Sequence, residues 1–223
     1  MPTNGNREET QEQRLTTTTY TSQWSRRASD PQNKIIKLVE SHWRDLLHKA
    51  DVPSRHDLDP NAIADALPSA FVVERVAPGV ARIRVAGQKL HDLKGMDIRG
   101  MPLSTFIDVH DQATFAVHLE AAFSDPALIA LPLRSESRFM RKDIRGQIIL
   151  LPMADAKGDV TRVLGAISFH PPMKLRNRQF RLDDAKPMRH EPIYRRQTQT
   201  VRFTKKPDAT DVRPALRLVV NNA

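Results

Sequence analysis

Cysteine is missing from all 223 residues. Its absence excludes a disulfide framework, a thiolate metal site, an iron–sulfur cluster and a cysteine nucleophile. Long apolar runs are also missing. The most apolar stretches, residues 127–133 and 148–153, fall far short of the ~18 consecutive residues that mark a membrane span, so no membrane partner is expected. The first ten residues are polar and partly acidic, where a secretory leader needs a positive stretch followed by an apolar one; a cytoplasmic location is the expectation. Gly-x-Ser-x-Gly, a Walker A loop, Gly-x-Gly-x-x-Gly and His-Glu-x-x-His do not occur, which leaves the common hydrolase, nucleotide and zinc-protease signatures unrepresented. No repeat with a 20–50-residue period is present, which rules out solenoids and propellers.

What is present in excess is positive charge. Thirty-five Lys and Arg face 26 Asp and Glu, giving a net +9 and an isoelectric point near 10.2. Residues 1–170 hold 22 basic and 21 acidic side chains, whereas 171–223 hold 13 and 5. The basicity therefore belongs to the C-terminal quarter, where Lys174, Arg176, Arg178, Arg181, Arg189, Arg195, Arg196, Arg202, Lys205 and Lys206 are spread among Pro and Gln. A largely disordered basic tail is expected there, with phosphate contacts to nucleic acid as a second functional reading. No zinc finger, helix-turn-helix or RNP-type aromatic pair accompanies it to read bases.

Residues 1–29 are rich in Thr, Gln, Arg and Glu and carry too little apolar surface to offset the cost of ordering; they read as a disordered arm. Asp30-Pro31 then opens a helix as N-cap and first helical residue. Ile35, Val39, His42 or Trp43, and Leu46 form its stripe to about Lys49, widened by Leu38 and Leu47, so residues 30–49 are an amphipathic helix. Such a stripe packs on its own sheet or pairs with a second copy, and Trp43 anchors it either way. Asp59-Pro60 caps a shorter helix through Ile63 and Leu67. Residues 71–76 and 81–85 are strand-like, the latter with strict alternation, around the turn Ala77-Pro78-Gly79, which predicts a hairpin with Arg82 and Arg84 on its wet face. Short glycine-ended turns follow to Phe106, then a helix over 108–123 with Phe115 and Leu119 inward. Three strands, 127–138, 146–153 and 160–169, complete the order. Two strands, a helical middle and three strands predict an α+β domain over residues 30–170: one five-stranded antiparallel sheet with helices on one face.

With that order in place, the sequence resembles the bacterial stand-alone PAS proteins. The residues that carry the resemblance are His42-Trp43-Arg44-Asp45-Leu46, Pro53-Ser54-Arg55, Asp57-Leu58-Asp59-Pro60-Asn61-Ala62-Ile63, Leu67-Pro68 and Phe71-Val72-Val73-Glu74. It continues through Arg82-Ile83-Arg84-Val85-Ala86-Gly87, Leu93-Lys94-Gly95, Asp97-Ile98-Arg99-Gly100 and Val163-Leu164-Gly165-Ala166-Ile167. The likeness covers about residues 33–169; Gln88 departs from the hydroxyl residue usual after Gly87, and the basic tail lies outside it. The resemblance implies a PAS-like fold and a non-enzymatic sensory or regulatory adaptor that docks on a regulatory protein, with or without a small apolar ligand in its core. Cysteine-adduct flavin chemistry is excluded by the missing thiol.

The pocket-lining candidates under that reading are Phe71, Ile83, Val85, Phe106, Phe115, His118, Leu133, Ile148, Leu150 and Ile167, with Phe123, Phe139 and Phe169 beside them. Ordinary core packing explains the same pattern. No metal site is expected: His42 and His48 are six apart and His110 and His118 eight apart, not the four that aims two imidazoles at one ion from a helix. No cofactor is expected either, although some PAS relatives bind haem through a helix histidine, which singles out His118. Asp57/Asp59 and Asp183/Asp184 are acid pairs in loop or tail sequence, read as caps and solvated charges rather than catalytic dyads. No catalytic residue is assigned.

Overall fold

The computed structural model describes residues 31–47, 52–135, 144–170 and 178–193. β1 (Ala70–Ala77) and β2 (Val80–Ala86) form a hairpin: apolar and charged residues alternate in β2, β1 opens on the apolar run 70–73, and Pro78-Gly79 reverses the chain between them. Gly79 has φ 69°, a conformation in which a Cβ is strained. The second ribbon is a meander of β3 (Ala127–Ser135), β4 (Ile144–Ala154) and β5 (Val160–His170), all antiparallel. The Asp155 carboxylate accepts the Lys157 and Asp159 N–H groups at 2.8 and 3.1 Å, closing the turn between β4 and β5. Antiparallel pairing of β1 with β5, Phe71 opposite Gly165 and Val73 opposite Val163, joins the ribbons. The strand order is β2-β1-β5-β4-β3, so the anticipated five-stranded wall forms around a helical insert.

That insert crosses one face of the sheet. It consists of α2 (Gln88–Lys94), 3-10 turns at Leu103–Phe106 and Val109–Asp111, and α3 (Gln112–Ser124). The Asp108 side chain caps the second turn by accepting the His110 N–H at 3.1 Å. Phe115, Leu119, Ala122 and Phe123 of α3 are buried against Ile129, Leu131, Ile148, Leu150 and Ile167 of the sheet. The opposite face is covered as well. Here the structure differs from the expectation of helices on one side: α1 (Pro31–Leu47) lays Ile36, Val39 and Trp43 on Leu128, Ile149, Leu151, Met153 and Leu164. Covering both faces explains why β3 and β4 read as continuous apolar runs rather than alternating ones. In β4, Ile148 and Leu150 point to the α3 side while Ile149, Leu151 and Met153 point to α1.

Two further differences concern the chain after β5 and the end of β2. Residues 171–223 read as a largely disordered basic tail, yet β6 (Arg181–Leu182) and β7 (Arg189–Pro192) both pair antiparallel with β3 and extend the sheet to seven strands. The only local sign is a single apolar-charged-apolar triplet, Phe180-Arg181-Leu182, and its partners lie far back along the chain. Pairing there covers the β3 edge, which would otherwise present unpaired N–H and C=O groups. Asp183, expected to be solvated, is buried where β6 ends. In β2, Val85 does not share the inward face of Ile83. The register passes from Val72↔Val85 to Val73↔Ile83, so Arg84 is an extra residue in a β-bulge, and a bulge re-aims the side chains beyond it. Val85 is 46% exposed, and Ala86 packs on the core instead.

Candidate functional site

The inner core lies between the sheet and α3. Eight of the ten pocket-lining candidates meet there: Phe71, Ile83, Phe106, Phe115, Leu133, Ile148, Leu150 and Ile167 belong to one buried cluster. Glycines set its depth. A Cβ built on Gly165 would lie 2.3 Å from the Phe71 ring and 2.5 Å from the Ile149 carbonyl oxygen, so the bare backbone is the seat of that ring. Val85 stands outside for the reason given above. His118 is half-buried on α3, and both burial and the nearby charge of His190 on β7 hold its pKa below the ordinary histidine value. Phe123 is buried and Phe169 packs on the cluster, whereas Phe139 lies outside the described residues.

The sequence reading missed Phe180 and Leu182. Phe180 is fully buried and stacks on Phe169, with centroids 4.2 Å apart and planes 20° apart. Its N–H donates to the Phe106 carbonyl at 2.8 Å, and its own carbonyl accepts the Asp108 N–H at 2.8 Å. Arg181 then grips Asp111 with two hydrogen bonds of 3.1 and 3.0 Å, and the Leu182 N–H reaches the same carboxylate at 2.9 Å. Residues 180–182 therefore close the core at the start of α3. Further on, Arg189 and Glu191 of β7 meet Glu40 and Arg44 of α1 in a four-membered ion network. One strap thus touches the insert over the inner core and the helix on the outer face.

The charged groups around the core serve as clamps. Asp57 and Ser54 form a capping box, in which the Asp57 carboxylate accepts the Ser54 N–H at 2.8 Å and the Ser54 hydroxyl accepts from His56. Asp59 accepts the Asn61 N–H at 2.9 Å, while its own N–H donates to His42 Nε2 at 3.2 Å. Neither carboxylate is placed for acid–base work. Among the described residues no group of three His, Cys, Asp or Glu side chains could hold a metal ion, and no helix is long and apolar enough to cross a membrane.

The Arg181 guanidinium, more than any other group, holds the Asp111 carboxyl below the usual carboxylate range. A carboxylate with a lowered folded-state pKa contributes stability that is present above its unfolded value and lost as pH falls through the folded one. The bond from the Leu182 N–H to Asp111 is therefore expected to break in acid, below the ordinary value of 3.8. The amide proton shift of Leu182, followed by NMR from pH 6 downward, should move upfield there, and Asp111→Asn should abolish the transition. A Leu182 shift that stays flat through the acid range in the unaltered chain would remove the clamp from the account.

A five-stranded antiparallel sheet in the order β2-β1-β5-β4-β3, crossed by a helical insert between its two ribbons, defines the PAS-like class of sensory modules. The chain belongs to the PAS domain family, whose sequence pattern it matches over residues 32–168. Among solved structures it is similar to the Rhodobacter sphaeroides LOV protein, at 14% identity and a TM-score of 0.36 over 46% of this chain and 59% of that one. It is also similar to a light-oxygen-voltage domain described with a flavin analogue, at 17% identity and a TM-score of 0.36 over 49% and 82% of the two chains. A third is the LOV domain of the blue-light photoreceptor Aureochrome1, at 16% identity and a TM-score of 0.32 over 48% and 85%. No curated protein matches the sequence.

Proposed function

We propose that this PAS domain is a non-enzymatic regulatory adaptor: a small apolar ligand in the inner core alters how α1 and the strap meet a regulatory protein. The observation behind the reading is the strap itself, bonded at 180–182 to the insert over the core and at 189–191 to α1 behind the sheet. A ligand that wedges the insert away from the sheet strains the Phe180 and Asp111 contacts and, through the shared strap, the docking of α1. It shifts the protein between two states only to the extent that it binds one better.

Native mass spectrometry of freshly purified protein tests the first half, and amide exchange of residues 31–47 before and after removal of the retained molecule tests the second. A retained small molecule whose removal changes exchange in α1 supports the reading. A chain that carries nothing, or an α1 that exchanges identically in both states, ends the gating idea.

A further inference from the structure

Beneath α1 the outer face of the sheet is apolar except at one end. Gln147 precedes Ile149, Leu151 and Met153 by the two-residue step of a strand, which puts its side chain on the α1 side. It is 7% exposed and stands between Pro132 of β3 and Ser168 of β5, both buried. Its Nε2 group is buried without a hydrogen-bond partner, so it has given up water and gained nothing in exchange. The ion network shows which part of α1 lies over it. Glu40 meets Arg189, which pairs with Ala130, and Ala130 stands opposite Ile149; one helical turn on, Arg44 meets Glu191, two residues further along β7. Trp43, bonded to the Pro152 carbonyl, marks the same direction. A turn of helix and two strand residues cover similar lengths, ~5.4 and ~6.6 Å. One turn before Glu40 is Ile36, which therefore stands at the level of Gln147.

α1 is thus held unevenly along its length. Residues 40–47 have Trp43, the four-membered ion network and His42 Nε2, which accepts the Asp59 N–H at 3.2 Å. Among the described residues no ion pair or side-chain hydrogen bond ties residues 34–39 to another element. Ile36 and Val39 pack on the sheet there, and part of what lies beneath them is an unpaired amide. We propose that the first half of α1, residues 31–39, is a releasable segment that lifts from the sheet while residues 40–47 stay docked, and that Gln147 sets how readily it lifts. The strand links this segment to the inner core. Gly146 and Ile148, on either side of Gln147, are turned to the core; the Phe169 ring lies over Gly146, where a Cβ would meet it at 2.4 Å, and stacks on Phe180. A shift at that stack is one residue away from the amide. Release by a core ligand rests on the function proposed above; the weak contact itself does not.

The test is amide exchange of the full chain without added ligand, resolved by NMR. Amides of residues 35–38 should exchange roughly tenfold faster than those of residues 42–46. Gln147→Met, of similar length and apolar, should slow residues 35–38 about tenfold, leave residues 42–46 within about twofold, and raise the melting temperature, because the unpaired donor is gone. Gln147→Leu, a second apolar replacement, should act in the same direction. Lys37→Met, on the exposed side of the same half-helix, should change neither set of rates. Uniform exchange along α1 in the unaltered chain, unchanged rates at residues 35–38 in both Gln147 variants, or a lowered melting temperature in both, as a water bound to the amide would produce, would each overturn the assignment. None of these measurements depends on a ligand, so their failure and that of the gating reading are told apart.

Discussion

Replacing Phe180 by alanine is expected to remove about 3–5 kcal/mol of folding stability, as truncating a buried Phe ring usually does. The ring is fully buried, stacked on Phe169 and embedded in the same cluster as Phe106, Leu133 and Leu182. The stack adds about 0.5–1.5 kcal/mol beyond the area it buries. If residues 178–193 were instead a tail laid against a finished domain, truncation would change stability by less than about 0.5 kcal/mol, as surface substitutions do. Urea unfolding followed by far-ultraviolet circular dichroism separates these outcomes. Phe180→Leu should fall between the parent and Phe180→Ala, because it keeps apolar volume but loses the stack. A Phe180→Ala midpoint indistinguishable from the parent would detach the strap from the domain and, with it, the coupling proposed between core and α1.

Phe180 also marks the limit of what local pattern conveys. The hairpin of β1 and β2 was legible because Ala81-Arg82-Ile83-Arg84-Val85 alternates and Pro78-Gly79 turns the chain, and α1 because Asp30-Pro31 precedes a stripe with three- and four-residue spacing. Trp43 was legible as an anchor from its size and position, and eight core residues from their periods. Val85 was misread because a bulge is one extra residue, invisible to a two-residue period until the partner strand is known. Which of its two expected uses the α1 stripe takes was left open for a related reason: a fully apolar β4 is consistent with a sheet buried on both sides, but the sequence does not say which element supplies the second cover. β6 and β7 were hidden by composition, since Arg and Pro in residues 181–192 outweigh one short apolar alternation, and the pairing that stabilises them is with β3, about fifty residues earlier for the Arg134–Arg181 pair.

The charge network and the apolar contact of α1 make its docking a cooperative unit, which leads to a second large effect. Trp43 is fully buried on the outer face, and its indole N–H donates to the Pro152 carbonyl at 2.9 Å. Trp43→Ala is expected to cost about 3–5 kcal/mol. Trp43→Phe keeps most of the ring and leaves the carbonyl without its donor, so it should cost about 1–3 kcal/mol. The ordering distinguishes packing from the hydrogen bond. Arg189→Ala removes the contact from β7 to Glu40 of the same helix, and with it the Arg189–Glu191 pair within β7 that orients Glu191 toward Arg44. Once Trp43→Ala has loosened α1, less is left for Arg189→Ala to remove. The double variant should therefore lose less stability than the two single losses together, with an interaction term of about 0.5 kcal/mol or more. Strict additivity would mean that the ion network and the tryptophan act on separate parts of the molecule, so that α1 is not the single lever on which strap and sheet both pull.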